Sequence, residues 1–343
     1  MTDFHQIVQA YTYCLGLLPV LVFLGALLYL DSYKLVKLHL VIRVILGGAL
    51  TTVLAYFANG YVIDALNMEF IDYTRYVSPI IEESLKGLLV IYLFRSNRIG
   101  FLVDSAIMGF AVGAGFALAE NLYYLYHAED AHIAVWVVRG FGTAVMHGGV
   151  TAIFSVLAQT LTERQTRASY LLFIPGLLVA VVLHSIFNQF PISPVLSTVA
   201  TLIVIPMILM LVFQKSVSVM HDWLEVDFDA NEELLKSIQS GSFTHSNAGR
   251  FLLDLRERFD GMIAADMLCY IRFHIELAIR AKSMLMAREF GMDVKIDDDI
   301  KDKFKELHAL EQSIGKAGFL AMRPYLHMSR KDLWQLFLLE EQE

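Results

Sequence analysis

The sequence predicts an all-α protein: a polytopic membrane helix bundle of about seven spans, followed by a cytosolic helical domain. Three observations lead there. Hydrophobic residues make up 56% of the 343 residues and charged ones only 18%, with a mean hydropathy of +0.54, far more apolar than a water-soluble domain. The apolar residues gather into runs of the roughly 20 needed to carry a helix across hydrocarbon. After Phe213 the composition turns abruptly polar and acidic.

The runs are Ile7 to Leu30, Leu38 to Phe57, Tyr76 to Phe94, Phe101 to Tyr126, Ile133 to Leu161, Tyr170 to Phe190 and Val195 to Phe213. The first is too long for the apolar part of a cleaved signal and no basic segment precedes it, so it reads as a retained span. Lys34, Lys37, Arg95, Arg98, Arg164, Arg167 and Lys215 follow the odd-numbered spans. Asp64, Glu69, Asp72, Glu129 and Asp130 occupy the alternate loops, with Arg75 the one basic exception. Basic residues stay on the cytoplasmic side. The amino terminus is therefore expected outside and the carboxyl terminus inside.

The chain divides into a transmembrane domain over 1–215 and a cytosolic acidic helical domain over 216–343. In the second, SGSFTHSNAG at Ser240 to Gly249 reads as a loop. From Arg250 to Phe290, Leu252, Leu255, Phe259, Ile263, Met267 and Ile271 recur at helical spacing, and Gly291 suits the end of that helix. Ile300, Phe304, Leu307 and Ile314 predict another helix, begun at the acidic run Asp297 to Asp299. Ser329 and Asp332 fit a capping box before Leu333. This domain has no phosphate-binding glycine loop, Cys/His metal pattern or nucleophile constellation, so it is expected to regulate or to bind a cytosolic partner. The only cysteines, Cys14 and Cys269, supply no disulfide framework, and a net charge of −8 argues against nucleic acid as a partner.

Ionisable side chains near the bilayer centre cost on the order of 3 kcal/mol each on insertion scales, so each one inside a span calls for a reason. In YVSPIIEESLKGLLVIYLF, Glu82 and Glu83 lie four and three residues before Lys86, where either can pair with the ammonium. One carboxylate satisfies one lysine, and the second is free for other work. In GFAVGAGFALAENLYY, Gly109 with Gly113 and Gly115 with Ala119 predict close helix packing, which leaves Glu120 and Asn121 unexplained. His147, in RGFGTAVMHGGVTAIF, has small neighbours Gly148 and Gly149, with Thr143 and Thr151 one turn away. His184 and Asn188, in VVLHSIFNQF, project from one helix face. Glu82, Glu120 and His184 each lie about six residues, roughly 9 Å, from the outer end of their span, with His147 deeper by about a turn.

Peptide hydrolysis needs an activated water, donors for an oxyanion and an acid for the leaving amine. A carboxylate beside Lys86 stays ionised while like-charge repulsion pushes its neighbour toward the acid form; His147 can orient the water, and His184 with Asn188 can donate to the oxyanion. A water held by Glu requires no cofactor. The groups Glu83, Glu120, His147 and His184 can equally hold Zn²⁺, although the HExxH signature is absent, and spacing does not separate the two. Acidic and His residues at one depth also suit an ion-coupled transporter or a signalling scaffold.

The ordered segments EESLK at Glu82 to Lys86, GFALAEN at Gly115 to Asn121, His147 within MHGGVTAIFS and HSIFN at His184 to Asn188 resemble the PrsW intramembrane proteases. They are more distantly similar to the membrane CAAX prenyl protease and bacteriocin-processing superfamily. The resemblance covers roughly Tyr76 to Phe190. It implies a bacterial inner-membrane endopeptidase in which Glu82 and Glu83 are essential, with His147, His184 and Asn188 matching the later motifs. It further implies a membrane-bound protein substrate, such as an anti-sigma factor, cut on the extracytoplasmic side. The CAAX branch opens to the cytosol and usually carries Arg where this chain has Lys86, which counts against that substrate class.

Overall fold

The structure, a computed structural model, describes residues 2–31, 33, 36–127, 132–163, 169–245, 247–255, 259–290, 292 and 298–322. The expectations on Lys34, Glu129, Asp130, Arg164, Arg167, Gly291, Asp297 and the Ser329/Asp332 box lie outside these residues. Among the described residues the fold is entirely helical.

Helix α1 is Thr2–Leu30, and α2, Leu38–Leu66, ends where Asn67 turns left-handed at φ 49°. A short α3, Phe70–Asp72, runs through a wide π-helical turn, Tyr73–Val77, into α4, Ser78–Arg95, whose first turn holds Pro79. Helix α5, Leu102–His127, opens on Asp104, whose carboxylate accepts the backbone N–H of Gly100 (2.7 Å), Phe101 (2.7 Å) and Ser105 (3.0 Å). The Gly100 and Phe101 amides have no helical partner at this start, whereas that of Ser105 also donates to the Phe101 carbonyl at 3.1 Å. Helix α6, Ile133–Val137, passes through a second π turn, Val138–Thr143, into α7, Ala144–Thr162. A 3₁₀ turn, Tyr170–Phe173, leads to α8, Ile174–Gln189, and α9 is Pro194–Gln239.

By length and composition six helical stretches can cross a membrane: Gln9–Leu30, Leu38–Leu66, Leu102–His127, Ile133–Thr162, Tyr170–Gln189 and Pro194–Gln239. The chain is a multi-pass membrane protein. The seventh run expected from the sequence, Tyr76 to Phe94, is helical as α4, but Glu82, Glu83, Lys86 and Arg95 fall within its 18 residues and set it apart from an ordinary apolar span.

The chain forms two compact units, one of residues 1–163 and 167–216, the other of 164–166 and 217–343. In the first unit α5 is the most enclosed helix, and its glycines explain why. A side chain at Gly113 would strike the backbone carbonyl of His147 on α7, and one at Gly109 would meet Thr151 and Ser155. On another face, Gly115 abuts the Ile45 carbonyl and Gly48 of α2 abuts that of Val112. Without Cβ atoms at these points the backbones approach closely enough for dispersion contacts to hold helices together where water supplies no hydrophobic drive. Phe94, Phe110, Val112 and Phe154 fill the space between them.

In the second unit the residues expected to form one helix from Arg250 to Phe290 form two, α10 (Asn247–Leu255) and α11 (Gly261–Glu289). Asp260 accepts the N–H of Met262 at 3.3 Å and so starts a new helix inside the apolar periodicity. Helix α12 is Asp298–Met322, with Ile300, Leu307 and Ile314 buried and a break at Gly315, where φ is 68°. The polar stretch from His221 continues α9 as far as Gln239 before the chain turns. Buried among Tyr270, Ile271 and Ala278 of α11 is His274.

Two outcomes are expected. Gly113→Val forces α5 from α7 and costs about 1–3 kcal/mol of stability, whereas Gly60→Ala, with nothing within 4 Å of the added carbon, leaves the thermal midpoint unchanged or raised. Burial, aided by the nearby Lys282 charge, holds His274 down to about 4 from an ordinary 6.5. A histidine depressed in the folded state contributes stability that is complete above the unfolded value and is lost as pH falls from about 6.5 toward about 4. Hydrogen exchange of the full chain should therefore show α11 losing protection over that window, and His274→Leu should abolish the pH dependence.

Candidate active site

The π turn Tyr73–Val77 delivers α4 with Glu82, Glu83 and Lys86 facing inward, all buried. Lys86 Nζ lies 2.5 Å from Glu83 Oε1 and 3.1 Å from His147 Nδ1, and the face of the Phe116 ring is 4.7 Å away. His184 Nδ1 lies 2.8 Å from the same Glu83 oxygen. A lysine paired with a carboxylate is a donor only, so His147 Nδ1 accepts and its proton sits on Nε2; a carboxylate is an acceptor, so His184 carries its proton on Nδ1. The two imidazoles, stacked edge to face at 4.7 Å, thus take opposite tautomers.

Glu82 is the freer carboxylate. Its Oε1 accepts from Ser78 (2.5 Å) and Asn59 (3.4 Å), and Asn59 in turn accepts from the Tyr73 hydroxyl at 2.8 Å. Its Oε2 faces His184 Nε2 at 3.9 Å. With the His184 proton on Nδ1, two acceptors confront each other across a gap that a proton, a water or a cation must occupy. Glu120 Oε2 lies 3.4 Å from His147 Nε2 and 3.1 Å from Arg139 Nη2. The Arg139 contact is an ion pair and the His147 contact is a neutral imidazole facing a carboxylate; neither has hydrogen-bond alignment, since Glu120 Oε2 and Arg139 Nη2 have no closed hydrogen bond.

Of the eight residues singled out in the sequence, Glu82, Glu83, Lys86, Glu120, His147 and His184 form this cluster. The two asparagines bind elsewhere. Asn188 donates to the Thr74 carbonyl at 3.0 Å, tying α8 to the π turn. Asn121 donates to the Gly16 carbonyl at 2.7 Å and accepts from Arg139 Nε at 3.0 Å. Arg139, Asn59, Ser78 and Tyr73 were not evident in the sequence. Arg139 had a signal, being a cation inside a span. Its tie to Glu120 had none: eight residues in an α-helix overshoot two turns by about 80°, and only the extra residue absorbed by the π turn brings Arg139 and His147 onto one face.

The donor types test well for a divalent cation. Ligand atoms of Glu82, His147 and His184 lie within 4.8 Å of one another, and all three residues are buried. Around tetrahedral zinc such atoms stand about 3.3 Å apart, so the three would draw together on binding. Glu83 behind His184 supplies the outer carboxylate that metal-binding imidazoles usually have. This set differs from the one expected from sequence by having Glu82 in place of Glu83 and Glu120, whose oxygens face Lys86 and Arg139. His147 would join through Nε2 only with its proton on Nδ1, which requires Lys86 to give up a proton and accept from that nitrogen.

Fold and site together define a membrane enzyme whose carboxylate, ammonium and imidazole groups are gathered from four helices and largely buried. The chain belongs to the PrsW family of intramembrane metalloproteases, whose family model matches residues 37–213. It is thus a peptidase working in a lipid environment on membrane-embedded substrate. All four sequence motifs fall in the matched segment; the second compact unit lies outside it, apart from residues 164–166. No curated protein and no solved structure matches.

The buried ion pair yields a prediction. Lys86→Met leaves Glu83 without its counter-ion, with the His184 N–H as its remaining partner, at a cost of about 3–5 kcal/mol. Adding Glu83→Gln should recover most of that loss, a recovery visible as a rise in thermal midpoint over the single variant.

Proposed function

We propose that this chain is a bacterial inner-membrane endopeptidase that hydrolyses a peptide bond of a membrane-bound protein near the extracytoplasmic side, with Glu82 as the general base. The observation that carries the reading is the pair of opposed acceptors, Glu82 Oε2 and His184 Nε2, 3.9 Å apart in a buried site. A water lying there donates one proton to each. As its oxygen attacks the peptide carbonyl, one proton passes to Glu82, and Glu82 returns it to the leaving amine as the C–N bond breaks. Glu83, fixed by Lys86 and His184, stays ionised and orients the imidazole. With no cation on the ring, the His147 N–H, poorly aligned with Glu120 at 3.4 Å, is available to the developing oxyanion. A divalent cation held by Glu82, His147 and His184 would supply Lewis-acid polarisation of the carbonyl and activation of the water.

The basic residues in the loops support an amino terminus outside, and on that topology Glu82, early in α4, lies in the outer half of the membrane. A single-span protein with a scissile bond just outside its membrane segment, such as an anti-sigma factor, suits that depth. On the same topology the domain over 216–343 is cytosolic and acts on cleavage by recruiting a partner or shifting helices, while 1–215 carries the chemistry.

In proteoliposomes supplied with membrane-peptide substrates, wild-type protein should generate new termini, and Glu82→Gln should lower the rate by about 10²–10⁴-fold with the fold intact. Ion flux without fragments would instead identify a carrier. Elemental analysis of the same preparations settles the water's activator: zinc lost together with activity on chelation assigns it to the cation, and an unchanged rate in metal-free protein assigns it to Glu82 alone.

A further inference from the structure

Arg139 is clamped from three sides by one stretch of α5. Its Nε donates to Asn121 Oδ1 at 3.0 Å, its Cζ lies 3.8 Å from the Tyr124 ring centroid, and its Nη2 is 3.1 Å from Glu120 Oε2. The clamp is itself anchored, because the Asn121 amide also donates to the Gly16 carbonyl at 2.7 Å and approaches that of Arg139 at 3.5 Å. Gly140, the next residue, leaves no room for a side chain against the Leu15 carbonyl, so the π turn is pressed onto α1. A planar guanidinium held by an amide, a ring and a carboxylate has one orientation; a lysine ammonium could not meet all three.

The carboxylate it holds is the one facing His147. Glu120 Oε2 is nearer to Arg139 Nη2, at 3.1 Å, than to His147 Nε2, at 3.4 Å. Arg139 and Glu120 are also the open side of the cluster, with side chains 17% and 22% exposed against 1% for His147 and 2% for His184. The guanidinium thus competes with His147 for Glu120, at the more exposed edge of the cluster.

We propose that Arg139 is a positioning residue of the peptidase: it draws Glu120 back so that the carboxylate orients the His147 ring without capturing its N–H, which stays available for the peptide carbonyl. The proposal rests on reading the Glu82, His147 and His184 cluster as the reacting centre, with the water held by Glu82 and no cation on His147 Nε2. Without the guanidinium, Glu120 closes on His147 and the donor is lost to substrate. The effect falls on turnover and not on substrate binding, because the N–H is needed by the oxyanion and not by the ground-state peptide.

Purified full-length Arg139→Ala should show a kcat lower by about 10- to 100-fold, the range for partners one step removed from a reacting group, with KM little changed. Free guanidinium should restore part of the rate, and Arg139→Lys should fall between Ala and wild type. In the variant that also carries Glu120→Gln, loss of Arg139 should cost nothing further, since the carboxylate through which it acts has been neutralised. Additive losses in that cycle, or an Arg139→Ala effect confined to KM, would overturn the proposal. If Arg139→Ala does not fold, the same cycle run with Arg139→Lys decides it. Glu82→Gln run alongside separates the two readings: a fully active Glu82 variant sinks the reacting-centre assignment, whereas an inactive Glu82 variant beside wild-type Arg139 variants sinks this inference alone.

Discussion

Lys86 and Glu83 are both almost wholly withdrawn from solvent, at 0% and 1% side-chain exposure. Charges in such surroundings persist only when each polar direction is answered, and the answers are the rest of the site. The ammonium reaches Glu83, the His147 nitrogen and the Phe116 ring; the carboxylate oxygen reaches Lys86 and His184. A donor on one imidazole and an acceptor on the other fix two tautomers at once. An ion pair that looks like a structural necessity of the membrane thereby sets which histidine offers a proton and which offers a lone pair.

Helix packing makes that pair possible. His147 meets Lys86 and Glu120 because α7 lies against α5 with Gly113 under the His147 carbonyl, and Gly109 lets the next turn down by Thr151. Two π turns then adjust what regular helices cannot. One aims α4, anchored by Tyr73 to Asn59 and by Thr74 to Asn188; the other rotates Arg139 onto the His147 face. Wide turns of this kind leave backbone carbonyls open to side-chain donors. The amide of Asn188 takes one of them, on Thr74.

That division explains what the sequence disclosed. Intramembrane charge is costly enough that Glu82, Glu83, Lys86, Glu120, His147 and His184 stood out from composition alone, and small residues at four-residue spacing announced the α5 contacts. Asn121 and Asn188 stood out for the same reason, yet they hold Arg139 and a π turn, because polarity reports that a group has a partner and not which one. The tie of Arg139 to Glu120 depended on an irregular turn that leaves no residue pattern. In the second unit the apolar periodicity ran unbroken through Asp260, so the break between α10 and α11 turned on one capping carboxylate. His274, polar on an apolar face, gave no sign of being buried.

Two paired carboxylates need not mean two equivalent ones. Glu83 is held by a cation and an imidazole and has little reason to change its proton count. Glu82 is met by Ser78 and Asn59 on one oxygen and by an acceptor, His184 Nε2, on the other. A group that exchanges protons during a reaction must be able to hold them in both states, which favours the carboxylate with an open side over the one locked in an ion pair. The adjacent positions on α4 thus differ in partner and not in chemistry. The same asymmetry recurs across the cluster, where Glu120 shares one oxygen between Arg139 and His147 and belongs fully to neither.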